Sequence, residues 1–486
     1  MRSFLAVVHV VGSLLMLFGV VYALPLLTAL VYDEPAALQA FGGGVAVTVG
    51  LGLLMSLTTR GFREELKPRD GYLLVSLGWL LITTVAALPL MWAAPHLTFT
   101  DAWFESMSGL STTGSTVIAG LDGLPHAVNL WRHALHWIGG MGIIVLAVAI
   151  LPLLGVGGMQ MYRAEAPGPV KDAKLTPRIT ETAKALWIVY ACMTGVCIFA
   201  LGAAGMPAFD AVCHGFSVMA LGGFSTHDAS IGHFKSPAIE AVLIVFMLLS
   251  AVNFATHFSA LRRGDLSLYR RDPEARWMLL WIGASVLGIA WLLWRDGLYP
   301  GFGTALRHAA FNVTTIATTS GFMTEDYTLW PLFAPMWMIF LSCIACNTGS
   351  TGGGIKLFRT LILIKQALRE MFILVHPQAV APLKISGHVV PNRIVYSVLA
   401  FIFVYFMTIV TLTFALLLSE MDFISAFTAV IASVNNMGPG LGQVGPATNY
   451  GGLSDFQTWT CALAMFLGRI ELFTFLVLFT PTFWRK

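Results

Sequence analysis

The chain has 486 residues, 57% hydrophobic and 11% charged, where a soluble domain carries about 25% charged residues. Its net charge of +3 is too small to suggest a nucleic-acid partner. This excludes an ordinary soluble fold and points to an all-α protein with most of its length in a bilayer.

Stretches such as Phe4–Leu30, Ile143–Leu154 and Ala241–Ala260 contain no Asp, Glu, Lys or Arg. Met1-Arg2 before an apolar run resembles a signal peptide, but no small-residue cleavage site follows, so an uncleaved helix is expected. In chain order the apolar pattern predicts ten spans, over 4–31, 38–58, 72–94, 127–154, 183–204, 237–261, 276–295, 330–364, 393–419 and 458–482. Four shorter amphipathic segments lie between them, over 101–112, 208–220, 304–318 and 422–435. A spanning helix needs about 20 residues, so these are re-entrant, and backbone of that kind must be buried in protein or line water.

Basic residues gather on alternate loops. The groups are Arg60, Arg63, Lys67 and Arg69; Arg163, Lys171, Lys174, Arg178 and Lys184; Arg262, Arg263, Arg270, Arg271 and Arg276; and Lys356, Arg359, Lys365, Arg369, Lys384 and Arg393, with Arg485 and Lys486 at the end. The opposite loops hold Asp33, Glu34, Asp101, Asp122, Asp210, Asp228, Glu325, Asp326, Glu420, Asp422 and Asp455. The positive-inside rule then places both termini in the cytoplasm, which agrees with an even number of spans.

Each short segment runs into a polar or glycine-rich turn: Ser111-Thr112-Thr113-Gly114, Ala220-Leu221-Gly222-Gly223, Thr318-Thr319-Ser320-Gly321 and Asn435-Asn436-Met437-Gly438. The final glycines are 109, 98 and 117 residues apart, which is the mark of an internal repeat. Four such turns can aim backbone carbonyls at one path and replace the hydration shell of a bare cation. Glycine supplies the backbone angles this needs, and the negative pole of each short helix adds to the attraction. Ser111, Thr112, Thr113, Thr318, Thr319, Ser320, Asn435 and Asn436 are expected to buttress those carbonyls. The plainer reading, four ordinary helix caps, does not account for their common register and face. Asp101, Asp210 and Asp422 are expected to cap the short helices, and with Glu105 to draw cations to an outer mouth.

The eighth span is interrupted by Asn347-Thr348-Gly349-Ser350-Thr351-Gly352-Gly353-Gly354. Each helical glycine costs about 1 kcal/mol, so a non-helical intramembrane loop is predicted there. Arg469 lies deep in the last span, and an intramembrane arginine needs a partner or a cavity. Glu471, two residues on, is off its helix face. The histidines, His133, His136, His214, His257 and His308 among them, show no metal-ligand spacing and are expected to be satisfied inside the membrane. Cys343-Ile-Ala-Cys346 is a lone CxxC without a second pair. No HExxH, GxSxG or phosphate-binding signature occurs, so no enzyme is expected.

Several stretches carry a family resemblance when taken together. They are Asp101 to Gly114, Trp131-Arg132 with His136 to Gly142, Pro167-Gly-Pro with Lys174-Leu-Thr-Pro-Arg178, Asn347 to Lys356, and Gly468-Arg469-Ile470-Glu471. The chain resembles the membrane subunit of the Trk/Ktr/HKT superfamily of potassium transporters, in its Trk branch (TrkH type). The resemblance implies an extra N-terminal two-helix unit (1–66) and four M1–pore helix–M2 repeats: 67–162, 163–272, 273–385 and 386–486. It also implies a K⁺ filter formed by the four turns, including Ala220, Leu221, Gly222 and Met437, with four glycines favouring K⁺ over Na⁺. Further implications are a gate at Asn347 to Gly354 with Lys356 and Arg469, acceptance of Rb⁺, and a homodimer with one pore per subunit. A cytoplasmic TrkA-type NAD/ATP-binding regulatory ring and a place in the bacterial inner membrane follow likewise. No covalent cofactor is expected, only K⁺ in the filter. The alternative on the same scaffold is a sodium-selective or cation-coupled symporter.

Overall fold

The structure, a computed structural model, describes residues 2–62, 66–142, 179–385 and 387–485. The run Ile143–Leu154, the Pro167 to Arg178 motif and the basic residues Arg63, Arg163, Lys171 and Lys174 lie outside the described residues. The described part is mostly helical, and its strands form one two-strand hairpin, in which Lys384–Ile385 pairs with His388–Val389 antiparallel.

Six described helices are long and apolar enough to cross a membrane. The first two, Ser3–Val31 and Pro35–Thr58, form an N-terminal pair. They cross closely at Gly12 and Gly52, where an added Cβ on either would come within 2.8 Å of the other's carbonyl. This pair packs on the next unit through aromatic rings. Tyr22 lies 4.5 Å from Trp131 and Phe41 5.6 Å from it, while the Trp131 indole N–H donates to the Ala86 carbonyl at 3.1 Å.

The other four long helices, Arg69–Ala93, Thr182–Ala203, Pro273–Arg295 and Asn392–Leu418, each precede one of the short ones. The short helices run Phe99–Leu110, Ala208–Ala220, Phe302–Ala317 and Phe423–Val434, with 12, 13, 16 and 12 residues. All four lie close to the expected segments. Their starts differ from expectation at two positions. Asp422 does cap its helix, accepting from the Ser425 N–H at 3.0 Å. Asp101 is instead the reciprocal partner in a capping box headed by Thr98. Asp210 lies in the first turn of its helix, where Pro207 is the cap. Glu34 is not a free loop acid, because its carboxylate accepts from the His126 and Ala127 N–H groups at 2.6 and 3.0 Å and caps the helix His126–Gly140.

The helix after each turn is the larger correction, since three of the four do not continue straight. His126–Gly140 is the described part of the 127–154 span. The 237–261 span consists of Pro237–Ala251 and Phe254–Arg263, bent by 96°. Val252 is extended there, and Asn253 starts a new helix by accepting from the Ala255 N–H at 2.8 Å. The 458–482 span breaks between Arg469 and Leu472 with a bend of 106°, and Glu471 takes φ +58°. The 330–364 span divides, as its glycines predict, into Phe333–Ile344 and Leu357–Val375. Ten uninterrupted spans are therefore not present. Among the described residues there are six, or eight if each bent pair counts once.

Candidate ion pathway

The four turns share one backbone solution. In each, a residue just beyond the short helix is left-handed, the second in three turns and the first in the other: Thr112 (φ +58°), Thr319 (+59°), Asn436 (+51°) and Leu221 (+55°). The next N–H reaches back five residues to the helix. Thr113 donates to Ser108 (2.9 Å), Gly222 to Ser217 (2.9 Å), Ser320 to Thr315 (2.7 Å) and Met437 to Ala432 (2.8 Å). Inside each, the left-handed residue donates to the carbonyl three before it, as Thr112 does to Gly109 at 3.0 Å. This is the Schellman ending four times over, built on non-glycine residues.

Beyond it the chain turns outward, and the four glycines close a ring in chain order. A Cβ on Gly114 would lie 2.5 Å from the Gly223 nitrogen, and one on Gly223 2.6 Å from the Ser320 carbonyl. One on Gly321 would strike the Met437 carbonyl, and one on Gly438 would meet the Thr113 carbonyl at 2.8 Å. Three of the glycines also need positive φ: Gly114 at +84°, Gly321 at +85° and Gly438 at +97°. A side chain at any of the four would push one turn away from the next. Glycine is thus fixed here by close backbone approach as much as by torsion.

The polar side chains brace the ring from behind, mostly by bonding one another. Ser111 and Thr113 hydroxyls lie 2.6 Å apart, and Thr318 and Ser320 hydroxyls 3.0 Å apart. The Asn436 amide donates to Thr113 Oγ1 at 3.1 Å and ties the fourth turn to the first. Asn435 accepts from the Tyr405 hydroxyl at 2.6 Å and donates to Ser342 at 3.0 Å. The expected direct support of carbonyls is seen at Gly438, whose oxygen accepts from Ser115 and from Tyr450, each at 2.9 Å. Neither donor was singled out in the sequence.

The ring forms the floor of a funnel of about 540 Å³, counting its open mouth. Gly114, Gly223, Gly321 and Gly438 lie at its base, with Arg132 and His227 in its wall. Arg132 and Glu105 are both buried, and their 2.7 Å ion pair joins the first short helix to the helix that follows. Glu105 also accepts from Thr116 at 2.9 Å and from the Val117 N–H at 3.0 Å, and Arg132 stacks 4.2 Å from the Phe224 ring. Glu105 is therefore a brace behind the ring and not an acid at the mouth.

On the other side of the ring lies the loop from Ala345 to Lys356. Most of the ties that hold it come from other elements. The Gly353 N–H donates to Thr319 Oγ1 at 2.9 Å, and Thr351 Oγ1 donates to the Met219 carbonyl at 3.1 Å. Asn347 N–H donates to the Ala251 carbonyl at 3.2 Å, and the Gly349 carbonyl accepts from Phe254 N–H at 3.1 Å. The Glu274 carboxylate accepts from the Thr348 N–H at 2.7 Å, a contact that the sequence did not suggest. Ser350 folds back on the Asn347 carbonyl at 2.7 Å. The glycines again allow close packing: a Cβ on Gly353 would strike the Asn435 carbonyl, and one on Gly354 would lie 2.5 Å from the Ser342 carbonyl. Buried Lys356 donates to the Gly352 carbonyl.

Arg469 reaches this loop from the break in the last bent helix. It donates to the Thr351 carbonyl at 3.0 Å, to the Gly140 carbonyl at 2.9 Å and to the Gly139 carbonyl. Glu471 pairs elsewhere, with Arg359 at 2.9 Å. Arg469 thus joins the end of the helix His126–Gly140 to the loop.

The histidines keep the expected structural character in part. His214 bonds to the Asp210 carbonyl at 2.8 Å and to Ser225 at 2.9 Å, and His257 to Tyr269 and the Leu249 carbonyl, both at 2.8 Å. His133 and His136 each use one ring nitrogen, toward the Asn129 carbonyl and Ser217, and His308 lies 3.3 Å from Glu325.

A family model described as TrkH, cation transport protein, matches residues 37–486. The chain belongs to the TrkH family. The Trk system potassium uptake protein TrkH of Salmonella typhimurium is 47% identical over 485 residues, covering 99% of this chain and 100% of that protein. TrkH of Escherichia coli K12 is 46% identical over the same length. The crystal structure of the potassium transporter TrkH from Vibrio parahaemolyticus superposes with a TM-score of 0.90 at 44% identity, covering 99% of this chain and 100% of that one. This TrkH-family chain is accordingly a helical polytopic membrane protein and a cation transporter, not an enzyme.

Proposed function

We propose that the chain takes up K⁺ across the bacterial inner membrane through the ring of four turns. The ring carries this reading, because it brings four strips of backbone together with no side chain between them at the glycines. A dehydrated cation held by carbonyls needs such an approach. The names of the relatives, potassium uptake proteins, support K⁺ as the ion. The filter comprises Ser111 to Gly114, Ala220 to Gly223, Thr318 to Gly321 and Asn435 to Gly438, set in four pore units over 67–162, 163–272, 273–385 and 386–486. Asn347 to Gly354 and Lys356 form the gate below it, and Arg469 holds that gate in place through the Thr351 carbonyl. A homodimer docked on a cytoplasmic nucleotide-binding ring completes the transporter, with both termini cytoplasmic. The resemblance of the motifs and the basic loops supports that arrangement.

Radioactive Rb⁺ uptake into liposomes holding the purified protein tests the reading. Block by excess K⁺ with little block by Na⁺ is expected. Equal block by both ions would overturn the selectivity assigned to the four glycines.

A further inference from the structure

Beside the funnel, Asp122, His227 and His233 place candidate metal-donor atoms within 4.8 Å of one another. They are 105 and 111 residues apart or nearly adjacent along the chain, so no spacing rule would have found them. We propose that these three residues form a transition-metal site that takes Zn²⁺, and that the bound ion slows cation entry.

Three observations make this a built site and not a chance surface group. First, the two loops are locked together by carboxylates that accept from backbone N–H groups. The Asp228 carboxylate accepts from the Gly120 and Leu121 N–H groups, each at 3.1 Å, and the Asp228 N–H donates to Asp122 Oδ2 at 3.2 Å. Second, each His227 ring nitrogen faces a carboxylate. Nδ1 lies 2.5 Å from Asp122 Oδ1, and Nε2 faces Asp210 Oδ2 at 3.5 Å. Asp210 is itself steadied by Thr226 Oγ1 at 2.7 Å. A metal-bound histidine characteristically points its other N–H at a carboxylate, which fixes ring and tautomer. Third, the His233 ring stacks on His227 with centroids 3.6 Å apart and planes 2° apart. The stack holds both imidazoles beside Asp122, and rotation of the exposed His233 ring out of it would turn a nitrogen toward the same ion. Zinc donors in a tetrahedral site are about 3.3 Å apart, so side-chain shifts of about an ångström complete the set, with water as fourth ligand.

The donor chemistry, two imidazoles and one carboxylate, suits Zn²⁺ and other borderline ions and does not suit Ca²⁺ or Mg²⁺. The site also has access to the path. Asp122 and His233 are exposed, and His227 lines the funnel. The His233 segment is tied to the wall next to the third turn, where Gly232 N–H donates to the Met323 carbonyl at 3.1 Å and Met323 N–H to Ser230 at 3.2 Å. The nearby Arg132 is already paired with Glu105, so it does not repel an incoming dication. A divalent charge fixed here would lower the cation concentration at the funnel mouth. The effect on flux rests on the proposed function, whereas the binding site does not.

The test is Zn²⁺ titration of the full-length, tag-free protein by calorimetry, paired with Rb⁺ uptake at increasing Zn²⁺. Wild type should bind one Zn²⁺ per chain at this site and lose uptake as it fills. Exposed His233→Ala should weaken binding by about tenfold or more while uptake without Zn²⁺ is unchanged. Asp210→Asn should weaken binding by roughly 10- to 100-fold through the His227 ring. Equal Zn²⁺ affinity in wild type and His233→Ala would overturn the site. Binding lost in His233→Ala, with wild-type uptake indifferent to Zn²⁺, would overturn the control of entry and leave the site. Absence of any Rb⁺ uptake would count against the proposed function, and the calorimetry would still decide the site.

Discussion

The ring of turns and the loop beneath it are both glycine-rich and non-helical, yet they are held in opposite ways. Each turn closes its own hydrogen bonds on the short helix that delivers it, as Thr113 does on Ser108 and Met437 on Ala432. The loop depends on Thr319, Met219, Ala251, Glu274 and Arg469, which belong to several different elements. The fully buried Asn347 side-chain amide finds no hydrogen-bond partner among the described residues, and an unpaired buried amide costs about 1–3 kcal/mol. A locally satisfied structure stays rigid, and one held by borrowed partners can be released by changing a partner. That is the division of labour that a filter and a gate require.

The largest expected effect comes from removing the loop. Deleting Thr348 to Gly353 should raise basal Rb⁺ flux by an order of magnitude or more; unaltered flux in a well-folded variant would show that the loop does not gate. Arg469→Ala comes next. It removes the bonds to Thr351, Gly139 and Gly140, and charged hydrogen bonds are worth about 1.5–3 kcal/mol each. Flux should rise roughly tenfold with the K⁺ over Na⁺ preference unchanged, and a shift in preference instead would place Arg469 with the filter.

Gly114→Ser should do the reverse. Its Cβ would press on the Gly223 nitrogen and spread the ring, so Na⁺ should compete better with Rb⁺ while gating is retained. Unchanged competition would count against Gly114 as a filter residue. Glu274→Gln keeps the shape and removes the charge that accepts from Thr348 N–H, so a rise in flux of only a few-fold is expected, and none if Glu274 is a bystander. The smallest effect is Asp422→Ala. Losing this cap should cost about 1 kcal/mol and lower the melting temperature, with ion preference intact.

Much of this division was legible in the sequence. The four turns stand out because glycine and small polar residues recur at one depth between apolar runs, and Asn347 to Gly354 because no helix tolerates that many glycines. The left-handed residues were not legible. Two threonines, a leucine and an asparagine take that role (Thr112, Thr319, Leu221 and Asn436), because their φ is imposed by the helix ending and not by the side chain. The bends at Asn253 and Glu471 were hidden as well, since hydropathy runs on through them. Their partners lie far away in the chain: Gly349 for the N–H after Asn253, and Arg359 for Glu471. The same distance hid Glu105, which reads as an acid at the outer mouth until Arg132 is brought beside it.

The central claim is that four backbone turns, and not side-chain carboxylates, bind the permeating ion. Anomalous diffraction from crystals of the protein in Rb⁺ tests it most directly. The account predicts Rb⁺ on the axis between Gly114, Gly223, Gly321 and Gly438, at carbonyl distance from the turns. Rb⁺ found only against carboxylates such as Asp122 or Asp228, with nothing on that axis, would contradict it.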